Sequence, residues 1–114
     1  MSQKLENVNP KIIPILDEFK TRLKELYGDN LEKVILYGSY ARGEEIKSQS
    51  DIDVAVILGE MDSAYDEIDR INEVTYEIDI NNDVVFNFHP ILAEDFESKP
   101  LSFYQIIKTE GIPI

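Results

Sequence analysis

An α/β (α+β) arrangement, with a small mixed β-sheet and helices packed mainly on one face, is the fold class this sequence predicts, and three observations carry it. Helical and extended hydrophobic periods alternate in the order helix, strand, loop, strand, helix, strand, helix. The first strand runs into Gly38, and only 12 residues, Ser39 to Ser50, separate it from the second, which suits antiparallel neighbours better than a parallel crossover. The helical stretch after the second strand is long enough to return the chain for a third strand parallel to it.

Asn9-Pro10 opens the first periodic segment, in which Ile12, Ile15, Leu16, Phe19, Leu23 and Leu26 recur at helical spacing. Gly28 follows as its C-terminal cap. Val34 to Tyr37 reads as a short buried strand, and Asp51 to Leu58 as a second, ended by Gly59. From about Asp62, the apolar positions Met61, Tyr65, Ile68, Ile71, Val74 and Ile78 restore a helical period as far as Ile80. Asn81-Asn82 is expected to break the chain before a third strand, Asp83 to Phe88. A loop carrying Pro90 and Pro100 comes next, then a last helix near Leu101 to Thr109, stopped by Gly111.

The 114 residues fit one domain, taken as 1–114, and 43% of them are apolar, enough for one core. With no cysteine, neither a disulfide frame nor a thiolate metal site is open to the chain. The first twenty residues contain no apolar stretch of signal-peptide or membrane-span length, so a cytoplasmic location is expected. Charge excludes more. Eleven Lys and Arg face 23 Asp and Glu, a formal net charge of −12, which repels phosphate backbones and argues against direct binding of nucleic acid. A basic protein partner or divalent cations suit such a surface better.

One segment concentrates the chemistry: Tyr37-Gly38-Ser39-Tyr40-Ala41-Arg42-Gly43, then Glu44 to Ser50, then Asp51-Ile52-Asp53. A strand delivers Gly38 and Ser39 to a sharp turn that opens a short helix. Gly38 permits close backbone approach or φ > 0, Ser39 offers a hydroxyl, and the helix start offers unpaired N–H groups, together a cradle for phosphate oxygens. A plain turn with a serine cap is the alternative for Gly38-Ser39 alone. Asp51 and Asp53, two apart on a strand, project to the same face. Magnesium binds through one or two carboxylates plus substrate phosphates, and a pair of such ions clamps the attacking and leaving oxygens of a phosphoryl displacement. Val54 to Ile57 are apolar on both faces, so the carboxylates stand at the rim of a buried strand, a costly place unless they are paired or metal-bound.

The combination Gly38-Ser39, loop, Asp51-x-Asp53 resembles the signature of the DNA polymerase beta-like nucleotidyltransferase superfamily. The wording GSYARGEEIKSQSDIDVAV resembles its minimal nucleotidyltransferase (MNT) group, over about Val34 to Leu58. The stretch Tyr40 to Ser50 has 11 residues, one more than is common in the antitoxin members, with the extra residue expected near Ile46-Lys47. The resemblance implies the superfamily fold, a divalent-metal and nucleoside-triphosphate site, and a third carboxylate on a later strand that completes metal binding and deprotonates the acceptor hydroxyl. Asp83 is the candidate for that third role, as base and metal ligand, with Asp79 as the backup. It further implies transfer of AMP from ATP to a tyrosine of a HEPN-domain toxin, the chain acting as antitoxin. A non-catalytic module that neutralises its partner by occlusion, and one subunit of a two-protein small-molecule adenylyltransferase, are the alternatives.

Other residues have plainer readings beside the functional ones. Arg42 reaches either a triphosphate or one of the many carboxylates, and the sequence leaves both open. Lys47 reads as a solvated loop charge, His89 as a strand-end surface residue, and Tyr37, Tyr40, Phe86 and Phe88 as core.

Overall fold

The computed structural model describes residues 5–46 and 49–114. Lys47, and with it the expected place of the extra loop residue, lies outside the described residues. Helix α1 (Ile13–Tyr27) follows a 3-10 turn at Pro10–Ile12, where the Asn9 side chain accepts from the Lys11 N–H at 3.0 Å. It ends at Gly28 with φ 57°, a left-handed setting that costs glycine least. Strand β1 (Leu31–Tyr37) leads into the four-residue helix α2 (Ser39–Arg42), and β2 (Ile52–Leu58) follows the loop. Helix α3 (Ala64–Asn82) begins at Ser63, whose side chain accepts from the Asp66 N–H, and is followed by β3 (Phe86–Leu92). The short helices α4 (Ala93–Ser98) and α5 (Ser102–Glu110) and a two-residue strand β4 (Ile112–Pro113) complete the described chain.

The sheet order is β3-β2-β1-β4. Strands β1 and β2 are antiparallel, as the loop length predicts, and β2 and β3 are parallel, as the length of α3 predicts. Strand β4 adds to β1 antiparallel, with Leu36 opposite Ile112. Helices α1 and α3 cover one face, packing Leu16, Phe19, Leu23, Ile71 and Ile78 on Val34, Leu36, Val54, Val56 and Phe86. The rings of Phe19 and Phe86 stack at 4.6 Å between centroids. The other face carries a smaller cluster in which Phe96 of α4 and Ile107 of α5 pack on Ile35, Ala55, Ile57 and Ile91. Two faces thus bury β2 from Val54 to Leu58, which explains the apolar run there.

Two sequence expectations fail at one place. Asn81-Asn82 does not break the chain: the helix continues to Asn82, whose Nδ2 donates to the Ile78 carbonyl at 2.8 Å. The turn comes one residue later, at Asp83, which caps α3 in the left-handed region (φ 52°, ψ 47°) that aspartate tolerates better than most residues. The third strand accordingly spans Phe86–Leu92 rather than Asp83 to Phe88, and Pro90 lies inside it instead of in a loop. Proline is accepted there because β3 is an edge strand, whose outward backbone needs no ladder donor.

Candidate active site

Strand β1 ends at Gly38, where the backbone turns with φ 78° and ψ −157° to start α2. A side chain is excluded here twice over. The left-handed φ disfavours L residues, and a Cβ would overlap Oδ2 of Asp53. Tyr37 pairs with Asp53 across the β1–β2 ladder, so the sheet itself sets that carboxylate against the turn. The Ser39 side chain is half-buried, and the first N–H groups of α2 donate to no acceptor among the described residues. Backbone donors and a carboxylate therefore stand side by side at this turn.

Asp53 is half-buried and Asp51, just before β2, is exposed. Burial pushes the Asp53 carboxyl above its ordinary value; the hydrogen bond from Asn87 Nδ2 to Oδ1, at 2.9 Å, acts the other way, and the Asp51 charge raises it again. The folded value lies above the unfolded one. The stability this group contributes is thus present below the usual aspartate range and is lost as pH rises through the folded value. Asp53→Asn keeps the shape and the Asn87 bond, so the ligand-free variant should melt higher than wild type at neutral pH. The gain should vanish below about pH 3.9, where the wild-type carboxyl is neutral too. Paired melting curves at the two pH values check both halves.

Asp83 is exposed and stands outside the strand, but lines a cleft of about 180 Å³ together with Asp51, Tyr40, Ser50 and Val84. The residue opposite Asp53 on β3 is Asn87, not a carboxylate. Asp79 accepts from the Phe86 N–H at 3.2 Å through Oδ1 and so anchors the start of β3; burial raises its carboxyl, and the nearby Asp51 adds to that. Among the described residues no three His, Cys, Asp or Glu side chains converge on one ion position. A cation held by Asp51 and Asp53 would need phosphate oxygens to complete its shell, which is the habit of magnesium at nucleotide sites.

Arg42 is engaged with protein carboxylates: Nε donates to Glu44 Oε1 at 2.8 Å, and Nη1 to Glu110 Oε1 and Oε2 at 3.1 and 3.0 Å. His89 stands in the middle of β3, not at its end, and is half-buried against Phe103 (5.0 Å between centroids) and Tyr37 (6.4 Å). The Tyr37 phenol is raised by burial first and by Asp53 and Glu110 next, so it stays protonated. Asn87 and Glu110 were not singled out in the sequence. Starting the third strand at Phe86 would have set Asn87 beside Asp53, whereas nothing local marks Glu110, whose partners lie 68 and 72 positions away.

Residues 16–111 match the family model described as a nucleotidyltransferase domain, and the chain belongs to that family. Among similar curated proteins are two of Methanocaldococcus jannaschii that carry the name protein adenylyltransferase. MJ0141 is 29% identical over 104 residues, covering 91% of this chain and 99% of that protein. MJ0604 is 31% identical over 103 residues, covering 84% and 90%. A crystal structure of a toxin–antitoxin with AMP-PNP superposes with a TM-score of 0.59 at 20% identity, over 83% of this chain and 68% of that one. A mutant of the toxin–antitoxin MntA-HpeT gives 0.58 at 18% identity, over 82% and 68%. At these identities the structures speak for the fold. Among the described residues no helix is long and apolar enough to cross a membrane.

Proposed function

We propose that the chain is a cytoplasmic antitoxin that transfers AMP from magnesium-bound ATP to a hydroxyl of a protein partner, a tyrosine of a HEPN-type toxin. The observation that carries this reading is the seating of the Asp53 carboxylate against the Gly38 turn, which joins a carboxylate pair to a set of phosphate donors. The names of the M. jannaschii relatives support protein adenylylation, and the toxin–antitoxin structures support a protein partner. A net charge of −12 favours a basic partner over nucleic acid.

In this scheme Asp51 and Asp53 hold magnesium, whose chemistry is to offset charge on the phosphate oxygens. Gly38 and Ser39 receive the triphosphate, and Arg42 joins them only by leaving Glu110. The acceptor oxygen bonds to the α-phosphorus as the bond to the bridging oxygen breaks and pyrophosphate departs. The acceptor proton passes to Asp83, which takes part in metal binding only if it reaches the same ions. A tyrosine hydroxyl, with an ordinary pKa near 10, needs such a base at neutral pH. Asp83→Asn should keep ATP and partner binding yet lose about 10²-fold in transfer of labelled AMP. Transfer at the wild-type rate would move the base elsewhere, with Asp79 next to test.

Asn87 at the place beside Asp53 favours a second reading, in which the chain binds nucleotide and neutralises its partner by occlusion. The two differ in one product: an adenylylated partner.

A further inference from the structure

The Gly38 turn is fastened from the far end of the chain. Its N–H donates to Glu110 Oε1 at 3.0 Å, and both oxygens of the same carboxylate accept from Arg42 Nη1 at 3.1 and 3.0 Å. Glu110 therefore grips the residue before α2 and the last residue within it. The sheet explains the meeting. Strand β4 runs antiparallel to β1 with Leu36 opposite Ile112, so the same register carried two residues further brings Gly38 opposite Glu110. A Cβ at Gly111 would overlap both the Ile107 carbonyl and Cγ2 of Ile35 in β1, so only glycine lets α5 end this close to β1. The Glu110 side chain is 19% exposed against 40% for Arg42, so the carboxylate is the more enclosed partner and its hydrogen bonds are correspondingly costly to leave unmade.

We propose that Glu110 is a positioning residue of the nucleotide site, and that Arg42 serves with it as a fastener rather than as a phosphate ligand. The inference rests on the nucleotide-binding reading above. Gly38 directs its N–H toward the β4 side of β1, away from Asp53, so the Glu110 carboxylate does not occupy the side on which Asp53 stands. What it fixes is the orientation of α2, and with it the Ser39 hydroxyl and the free amides of the turn. Arg42 spends Nε on Glu44 and Nη1 on Glu110, two carboxylates that offset its charge.

The test is magnesium–ATP affinity by calorimetry on the full chain, with melting curves of the ligand-free proteins alongside. Glu110→Ala should weaken ATP binding by at least tenfold. Glu110→Gln keeps an acceptor for the Gly38 N–H and should stay within about threefold of wild type, a rescue that a loss of general stability would not give. Arg42→Ala should weaken binding in the same direction, and the Arg42→Ala/Glu110→Ala pair should be no worse than Glu110→Ala alone, because both remove one fastening. A double variant weaker than either single one makes Arg42 a phosphate ligand and overturns the proposal. So does Glu110→Ala that binds ATP as tightly as wild type or more tightly, the latter marking the carboxylate as a competitor of phosphate. Should Glu110→Ala fail to fold, Arg42→Ala decides, since it leaves the Gly38–Glu110 bond intact, and unchanged affinity in it overturns the fastener. Wild type that binds no magnesium–ATP refutes the nucleotide-binding reading instead.

Discussion

Replacing Asp51 and Asp53 together by Asn is expected to abolish transfer of AMP, with a loss of at least about 10³-fold, and to remove the part of ATP binding that depends on magnesium. The size follows from charge. A cation at a transferring phosphoryl group supplies roughly several kcal/mol of transition-state stabilisation, and each 1.36 kcal/mol is about tenfold in rate. The substitution keeps side-chain shape, and Asn at 53 still accepts from Asn87, so the fold should survive. Wild-type chain with ATP at about 100 times its Kd should gain about 2.7 kcal/mol by ligand linkage, which for a domain of this size raises Tm by on the order of 10 °C. The magnesium-dependent part of that rise should be missing in the double variant. A folded double variant that keeps the full increment would refute the assignment of the metal pair.

Gly38→Val should be the most damaging single change in the phosphate turn. Its Cβ would collide with Asp53 Oδ2, and a β-branched residue is forced to a φ of 78° it seldom adopts. Backbone strain of this kind costs about 1–3 kcal/mol, so Tm should fall by on the order of 10 °C. ATP affinity should fall at least about tenfold, because the relief of the collision displaces either the turn or the carboxylate. Combining it with Asp53→Ala clears the collision but leaves the φ strain. That pair should recover part of the lost stability and none of the ATP binding. Ser39→Ala is expected to do much less, since the amides of the turn remain. Wild-type ATP affinity in Gly38→Val, measured by calorimetry, would remove the turn from the site.

The sequence was readable where local pattern and burial agree. Six apolar positions at helical spacing mark α1, and the run Val54 to Ile57 marks a strand covered on both faces, which the two clusters around β2 explain. The short connection between β1 and β2, Gly38 to Asp51, and the 19-residue α3 decide antiparallel against parallel pairing. Reading fails at Asn81 to Pro90. Two asparagines look like a turn, yet at the end of a helix an Asn side chain can bond back to a carbonyl and let the helix run on. Proline looks like a loop, and only knowledge that β3 is an edge strand permits it inside one. That shift of three residues matters for the site, since it takes Asp83 out of the strand and sets Asn87 beside Asp53. The turn at Gly38 was legible because turn chemistry is local. Glu110 was not, because its role is created by β4, a two-residue strand with no periodicity to read.

Intact-mass spectrometry of the partner toxin tests the central claim most directly. A HEPN-type protein, the partner that the proposed function calls for, is incubated with wild-type chain, magnesium and ATP, and its peptides are mapped. The expected result is a mass increment of one adenylyl group on a tyrosine, released pyrophosphate in equal amount, and loss of toxin activity in step with modification. Toxin that is fully neutralised with its mass unchanged would contradict transfer and leave occlusion as the mechanism.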